Sequence, residues 1–274
     1  MKNIFNFILP LVFIVSCSME ESSDVSNETV EDRLSKVFYT EFMPCTAGPD
    51  YTSENMTSMI AEWQKLLTNE NLQGVWGYAP AVATNSFPDN GWWEIQWGSK
   101  EEAQEAWSEW SQNKEAAAWN EKYASVLQCD ESLINGFESV FPIASAQYSE
   151  LPDSGYFYGE VHICELNDGS TQEEAISFLS GFTEAVANAD YSDTSYHLGN
   201  YFNVDESGGF LWANFTNSEE SMNKANTSFE ASVRETMFPI FSTFASCGEV
   251  PDLYHGFTLY NADDKDFMPT FPSN

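Results

Sequence analysis

Two short stretches of the chain, YTEFMPC at residues 39–45 and YGEVHIC at residues 158–164, share one pattern. Both begin with Tyr, carry Glu at the third position, end in Cys and follow a Phe. If the two stretches mark equivalent places, the segments that follow them should also correspond. They do, and this internal repetition predicts two related halves.

Each stretch is followed by the same series of patterns. An amphipathic helix comes first, and in the second half Thr171 and Glu174 have capping-box spacing at its start. A strand, a turn rich in Asn, Asp and Gly, and a third strand follow (WWEIQW at 92–97, FLWANF at 210–215). A second helix begins at Ser99 or Asn217, and a last strand contains GFES or GFTL. Each half is therefore predicted to be β-α-β-β-α-β, a ferredoxin-like unit.

Two such units in tandem resemble the dimeric α/β-barrel superfamily in fused form, which includes antibiotic-biosynthesis-monooxygenase-like and stress-response barrel proteins. The expected fold class is α+β, with a first repeat at 36–150, a second at 151–260 and an acidic tail at 261–274. The resemblance implies two four-stranded sheets that face each other, with helices outside. A barrel closed within one chain predicts a monomer with an internal pseudo-dimer.

Four cysteines fit this layout. Their separations nearly agree, at 84 residues for Cys45 to Cys129 and 83 for Cys164 to Cys247. In a ferredoxin-like unit the end of the first strand lies near the end of the second helix, where we expect Cys129 and Cys247. We predict disulfides Cys45–Cys129 and Cys164–Cys247, the one pairing of three that respects the repeat. A metal site is the alternative, but CxxC spacing is missing.

The N-terminus predicts export. A positive residue and an apolar run precede Cys17, and the segment 1–17 is similar to the signal peptide and lipobox of bacterial lipoproteins. An ordinary signal peptide with a chance Cys is the alternative. Ser18 after the Cys favours the outer membrane in the family pattern. Residues 18–35 are acidic and poor in apolar side chains, which predicts a disordered tether.

The formal net charge of −33 limits the partners. Such a field repels nucleic acid and anionic lipid, so we expect no nucleic-acid partner and membrane contact only through the lipid anchor. Its simplest role is solvation, and the collection of cations is a second interpretation.

The repeated strand also predicts a site. Strand side chains alternate, and the Cys face should lie under the helices, so that Glu41 and Glu160 enter the sheet–helix space. Enzymes of the superfamily use this cleft as a pocket. We interpret Glu160 and His162 as a candidate catalytic pair. The candidate ligand-binding residues are Tyr158, His197, Trp212, Asn214, His255 and Glu41. A purely structural role for the repeated Glu, and for each His, stays open.

Three function classes follow from these patterns. The first is a binding module for a small apolar or aromatic molecule; the others are a cofactor-independent monooxygenase or isomerase, and a structural envelope lipoprotein. No metal motif and no cofactor motif appears. Haem-binding relatives of the fold supply an iron-ligating His from a helix or a neighbouring loop, whereas the three histidines here lie in or beside predicted strands.

Overall fold

The computed structural model describes residues 28–144, 152–192, 194–206 and 208–272. The predicted signal segment with Cys17 and the first part of the predicted tether lie outside these ranges. No helix in the described ranges combines the length and apolar character needed to cross a bilayer.

The first half of the chain has an added N-terminal helix and one added short strand. Its elements are α1 (Val30–Ser35), β1 (Phe38–Ala47), α2 (Ser53–Gln64), β2 (Leu72–Pro80), β3 (Gly91–Trp97), α3 (Lys100–Gln112), α4 (Lys114–Tyr123), β4 (Leu127–Cys129), a 3-10 turn (Glu131–Leu133) and β5 (Asn135–Ile143).

The second half has the same order without an N-terminal helix. Its elements are β6 (Tyr156–Leu166), α5 (Gln172–Ala187), β7 (His197–Asn203), β8 (Gly209–Thr216), α6 (Glu219–Ser228), a π-helical turn (Phe229–Val233), α7 (Arg234–Phe244), β9 (Ala245–Cys247) and β10 (Asp252–Asn261).

Eight of these strands form a closed ring in the order β10, β2, β3, β1, β5, β7, β8, β6, after which β6 pairs with β10. The first half contributes β5-β1-β3-β2 and the second contributes β10-β6-β8-β7, which is one order used twice. The two halves join through β5–β7 and β10–β2, both antiparallel. The predicted α+β barrel is therefore confirmed.

Aromatic side chains from both halves fill the barrel. Phe42 of β1 lies 5.5 Å from Phe137 and 5.2 Å from Tyr201, measured between ring centroids. Tyr78 lies 5.4 Å from Phe157 of the second half. The predicted division of the first strand is confirmed, because its apolar face enters this cluster and its Glu face lies under the helices.

The predicted helix starts are close to the observed ones. Thr171 and Glu174 form a complete capping box. Ser99 caps α3 by accepting from the Glu102 N–H, but the Glu102 side chain does not complete the box. The matching cap in the second half is Ser218, one residue after the predicted start.

Both predicted disulfides, Cys45–Cys129 and Cys164–Cys247, are present. The expected position of their second cysteines was wrong in one respect. Cys129 and Cys247 do not end helices but lie on β4 and β9, which pair antiparallel with β1 and β6. Each disulfide thus joins directly opposed residues of a strand pair and fixes a short added strand beside the barrel.

Two terminal segments are more ordered than predicted. The expected tether ran to residue 35, but α1 begins after a Thr29 capping box, and its buried Arg33 donates to the Pro142 carbonyl at 2.8 Å. The predicted acidic tail returns to the body, where the Thr270 N–H donates to the Ser154 carbonyl at 3.1 Å. The capping box and the Arg33 bond hold the first segment, and the contact of Phe271 with Phe257, 5.1 Å between ring centroids, holds the second.

Candidate functional site

A cavity of about 730 Å³ lies in the second half, between the outer face of β6 and β8 and the helices α5 to α7. Its walls are mainly aromatic and its floor is polar. The aromatic wall consists of Phe178, Phe182, Trp212, Phe229 and Phe241. Apolar walls with a few convergent polar groups are typical of small-molecule sites, and this volume is within their usual range.

Glu160 is the centre of the polar floor, and three side chains bond its carboxylate. His162 Nε2 lies 3.2 Å from Oε1, and Asn214 Nδ2 donates to the same oxygen at 3.2 Å. Asn226 of α6 donates to Oε2 at 2.9 Å. The strand pairing explains this convergence, because Glu160 lies opposite Asn214 in the β6–β8 register.

Two donors orient the Asn214 amide. Its Oδ1 accepts from the Tyr196 hydroxyl at 2.7 Å and from Trp212 Nε1 at 3.1 Å. The amide oxygen is therefore fixed, and its NH₂ group points to Glu160. A chain of bonds thus connects the aromatic wall to the carboxylate and holds the floor of the cavity rigid.

The hydrogen bonds control the charge of Glu160. Burial alone would raise the pKa of this carboxyl, but the bonds from His162 and Asn226 outweigh burial and hold its pKa below the usual value. Glu160 is consequently an ionised acceptor at neutral pH, and a depressed pKa makes it a weak base.

The helix that covers the cavity is irregular beside it. Between α6 and α7 the chain makes a π-helical turn, from which Phe229 and Glu230 line the cavity. Such turns often occur at functional sites. At the mouth, Arg234 forms an ion pair with Glu230 at 2.6 Å, and Phe238 is about half exposed.

The structure brings four of the predicted site residues, Glu160, His162, Trp212 and Asn214, together in this cavity. It places the other predicted residues elsewhere: His197 by the phase of its strand, Tyr158 and His255 by their position along the outer face, and Glu41 in the first half.

His197 does not border the cleft. It shares its face of β7 with Tyr201 and points into the barrel, where its ring centroid lies 5.5 Å from that of Phe141. Burial lowers its pKa to about 4. His255 is exposed on the outer surface, with Nδ1 2.9 Å from the Tyr156 hydroxyl. Tyr158 is buried with its ring against His255 rather than in the cavity wall.

Glu41 lies in the equivalent sheet–helix space of the first half. Its Oε2 accepts from Trp97 Nε1 at 3.1 Å and from Trp107 Nε1 at 2.7 Å. Burial raises its pKa, and these two bonds offset part of that increase. The repeated Glu therefore bonds side chains of its own half in both places, but with different partners.

Asn226 is a site residue that the sequence reasoning missed. It lies eight residues after its helix cap Ser218, just as Trp107 lies eight residues after Ser99. Aligning the two caps would have identified both donors to the repeated Glu. Tyr196 carried no comparable pattern, since it precedes β7 in an irregular segment.

The described residues contain no group of three or more His, Cys, Asp or Glu side chains arranged to hold a metal ion. The cleft also does not fit the haem pattern of the resemblance. Helices α5 to α7 carry no His, and His162, which lines the cavity from a strand, has its Nε2 directed at Glu160.

The chain matches no protein-family model and no curated protein sequence. Solved structures resemble its fold. A candidate monooxygenase from Lactobacillus acidophilus NCFM is 8% identical, with 81% of this chain and 94% of that chain covered and a TM-score of 0.50. A chlorite dismutase from Candidatus Nitrospira defluvii is 13% identical, with 81% and 92% covered and a TM-score of 0.46. The fold is that of the dimeric α/β barrels.

Proposed function

We propose that the protein binds a small aromatic or apolar molecule in the second-half cavity. The observation that carries this proposal is the open space of about 730 Å³ between an aromatic wall and the Glu160 floor. This space has the size and the mainly aromatic lining, with a few polar groups, that are typical of small-molecule pockets.

The floor gives the proposed ligand its orientation. The rings of Phe182 and Trp212 meet edge to face, with centroids 4.9 Å apart, and form a rigid apolar wall. His162 lines the cavity beside an ionised Glu160. A ligand with an aromatic body and one hydrogen-bonding group would place the body on the wall and the polar group at this pair.

A second candidate is catalysis of a cofactor-independent monooxygenase or isomerase kind at the same pair. The 3.2 Å contact between His162 and Glu160 favours it, because a carboxylate that orients an imidazole is a common arrangement for proton transfer. The depressed pKa of Glu160 assigns the base in this case to His162, with Glu160 as a positioning residue.

The substitution Glu160→Gln is expected to weaken ligand binding about tenfold, because a hydrogen bond to a charged group is replaced by one to a neutral amide. The neutral dye N-phenyl-1-naphthylamine, whose fluorescence rises in apolar sites, can serve as the probe. Its titration into the wild-type protein and the variant gives the two dissociation constants.

The matched control is Glu165→Gln, which removes the same charge from an exposed position on β6. It should leave dye binding unchanged, whereas Trp212→Ala should weaken binding by removing part of the wall. Equal binding by the wild type, Glu160→Gln and Trp212→Ala would refute the proposal. Native mass spectrometry of protein from its own host would identify a retained ligand. If His162→Gln still binds that ligand but no longer converts it, the result would favour catalysis.

We also propose that lipidation of Cys17 holds the barrel at the outer membrane. The lipobox-like segment and the acidic stretch after it support this. The variant Cys17→Ser should move from the membrane fraction to the soluble fraction on cell fractionation, since a lipid-modified Cys would be the anchor. An unchanged distribution would exclude lipid anchoring at this residue.

A further inference from the structure

The first half contains a second cavity that the proposed function does not use. It has a volume of about 390 Å³ and lies between the outer face of β1 and β3 and the helices α2 to α4. Six of the nine tryptophans of the chain line it: Trp63, Trp93, Trp97, Trp107, Trp110 and Trp119. The first three are buried, and the last three are partly exposed.

The N–H groups of three of these indoles already donate hydrogen bonds within the protein. Trp97 and Trp107 donate to Glu41, and Trp119 donates to the Met59 carbonyl at 3.0 Å. Indole has no other donor and no acceptor. These rings can therefore offer an occupant only their π-faces and edges, and the face of an aromatic ring carries negative potential.

Both charged residues that line this cavity are acidic. Its charged lining residues are Glu109 and Glu131, and no basic side chain of the described chain lines it. Glu41 lies directly behind two of the indoles, and its Oε2 accepts both of their N–H bonds. Two lysines of the first half have partners outside the cavity lining, since Lys122 bonds Glu62 at 2.7 Å and Lys100 lies over the Tyr39 ring.

The two cavities differ in the strand side chains that face them. In the strand registers Glu41 lies opposite Ile95, whereas Glu160 lies opposite Asn214, and Met43 lies opposite Trp93, whereas His162 lies opposite Trp212. The first half thus has apolar or aromatic side chains where the second half has its polar floor. A ligand that needs hydrogen bonds fits the second half, and one that needs ring faces fits the first.

We propose that the first-half cavity binds a small organic cation, of the quaternary or methylated ammonium class. Such a cation has an apolar surface that fits between indole rings and a charge that their faces attract. Its charge is also favoured by Glu109 and Glu131 at the cavity and by the net charge of −33. This site is independent of the second-half cavity.

Choline and its uncharged carbon isostere, in which a tert-butyl group replaces trimethylammonium, provide the test. The two have the same shape, so that a difference in affinity reports the charge alone. We expect choline to bind the full-length protein about tenfold tighter than the isostere, and to shift the indole N–H resonances of Trp107, Trp110 or Trp119 in NMR spectra.

Two variants locate the binding. Trp110→Leu should weaken choline binding at least several-fold, and Glu109→Gln should weaken it without any loss of packing. Glu105→Gln, which removes an exposed charge from the same helix away from the cavity lining, is the matched control and should bind choline like the wild type. Equal binding of choline and its isostere, shifts confined to indoles outside the cavity, or no binding of choline would each overturn the proposal.

Discussion

Replacement of both cysteines of the second-half disulfide, Cys164→Ala with Cys247→Ala, is expected to lower the free energy of unfolding by about 4.5 kcal/mol. The disulfide spans 83 residues. In the chain-entropy description it restricts the unfolded chain, and the restriction grows with the length of the closed loop. The folded state also loses a cross-link that holds β9 against β6, but the strand hydrogen bonds remain.

Chemical denaturation of the oxidised protein and of the double variant measures this loss. The first-half pair, Cys45→Ala with Cys129→Ala, is the internal comparison, because its loop of 84 residues is of nearly equal length. The two double variants should therefore lose similar stability. A loss below about 1 kcal/mol in either variant would contradict the entropic account.

The two substitutions should affect the cavities differently. Strand β9 contributes Ala245, Ser246 and Cys247 to the second-half cavity, and β4 contributes Leu127 to Cys129 to the first-half cavity. Removal of one disulfide should increase the mobility of the short strand that lines the cavity of the same half, and should leave the other cavity unchanged.

The repeat made most of the barrel predictable from the sequence. A strand that recurs with the same Tyr, Glu and Cys positions defines equivalent points, and the two cysteine separations then define the pairing. Strand alternation placed Glu41 and Glu160 under the helices. Each Glu lies four residues before a cysteine of the same strand, and so on the same face as that cysteine. These inferences depend on local periodicity, which the fold preserves.

The candidate site was less predictable, because it depends on where each strand begins. Aligned end to end, the strings WWEIQW and FLWANF make Glu94 and Gln96 the counterparts of Trp212 and Asn214. The register shows the opposite, since Trp93 and Ile95 are the counterparts. A shift of one residue exchanges the two faces of a strand, and the sequence of a strand with large side chains on both faces does not show the phase.

Glu94 therefore lies inside the barrel, where it accepts a hydrogen bond from the Tyr78 hydroxyl and another from Tyr201. It is 2% exposed. Burial raises its pKa to about 7, even though both tyrosine bonds act to lower it. A carboxyl with a raised pKa in the folded state stabilises the protein at low pH and loses that contribution as the pH rises to about 7.

The substitution Glu94→Gln is expected to remove this contribution to the pH dependence. The amide stays neutral and can still bond both tyrosines. The interval between the ordinary value of 4.5 and about 7 corresponds to about 3 kcal/mol. At pH 8 the variant should therefore be more stable than the wild type by about this amount, relative to their difference at pH 4.5.

Only the difference between variant and wild type isolates Glu94, because His197 lies in the same barrel and has the opposite effect. Burial lowers the pKa of His197 to about 4, so that its contribution to stability rises with pH between about 4 and 6.5. The two slopes oppose each other in the wild type. Glu94→Gln leaves the His197 slope alone, and its stability should rise more steeply over this range than that of the wild type.

Denaturation midpoints at several pH values between 4.5 and 8, for wild type, Glu94→Gln and the exposed control Glu121→Gln, give the required differences. The control should follow the wild type at every pH. Parallel curves for wild type and Glu94→Gln would mean that Glu94 is ionised inside the barrel throughout this range. The two tyrosine bonds would then have to stabilise a buried charge fully, which is difficult for two neutral donors in an aromatic interior.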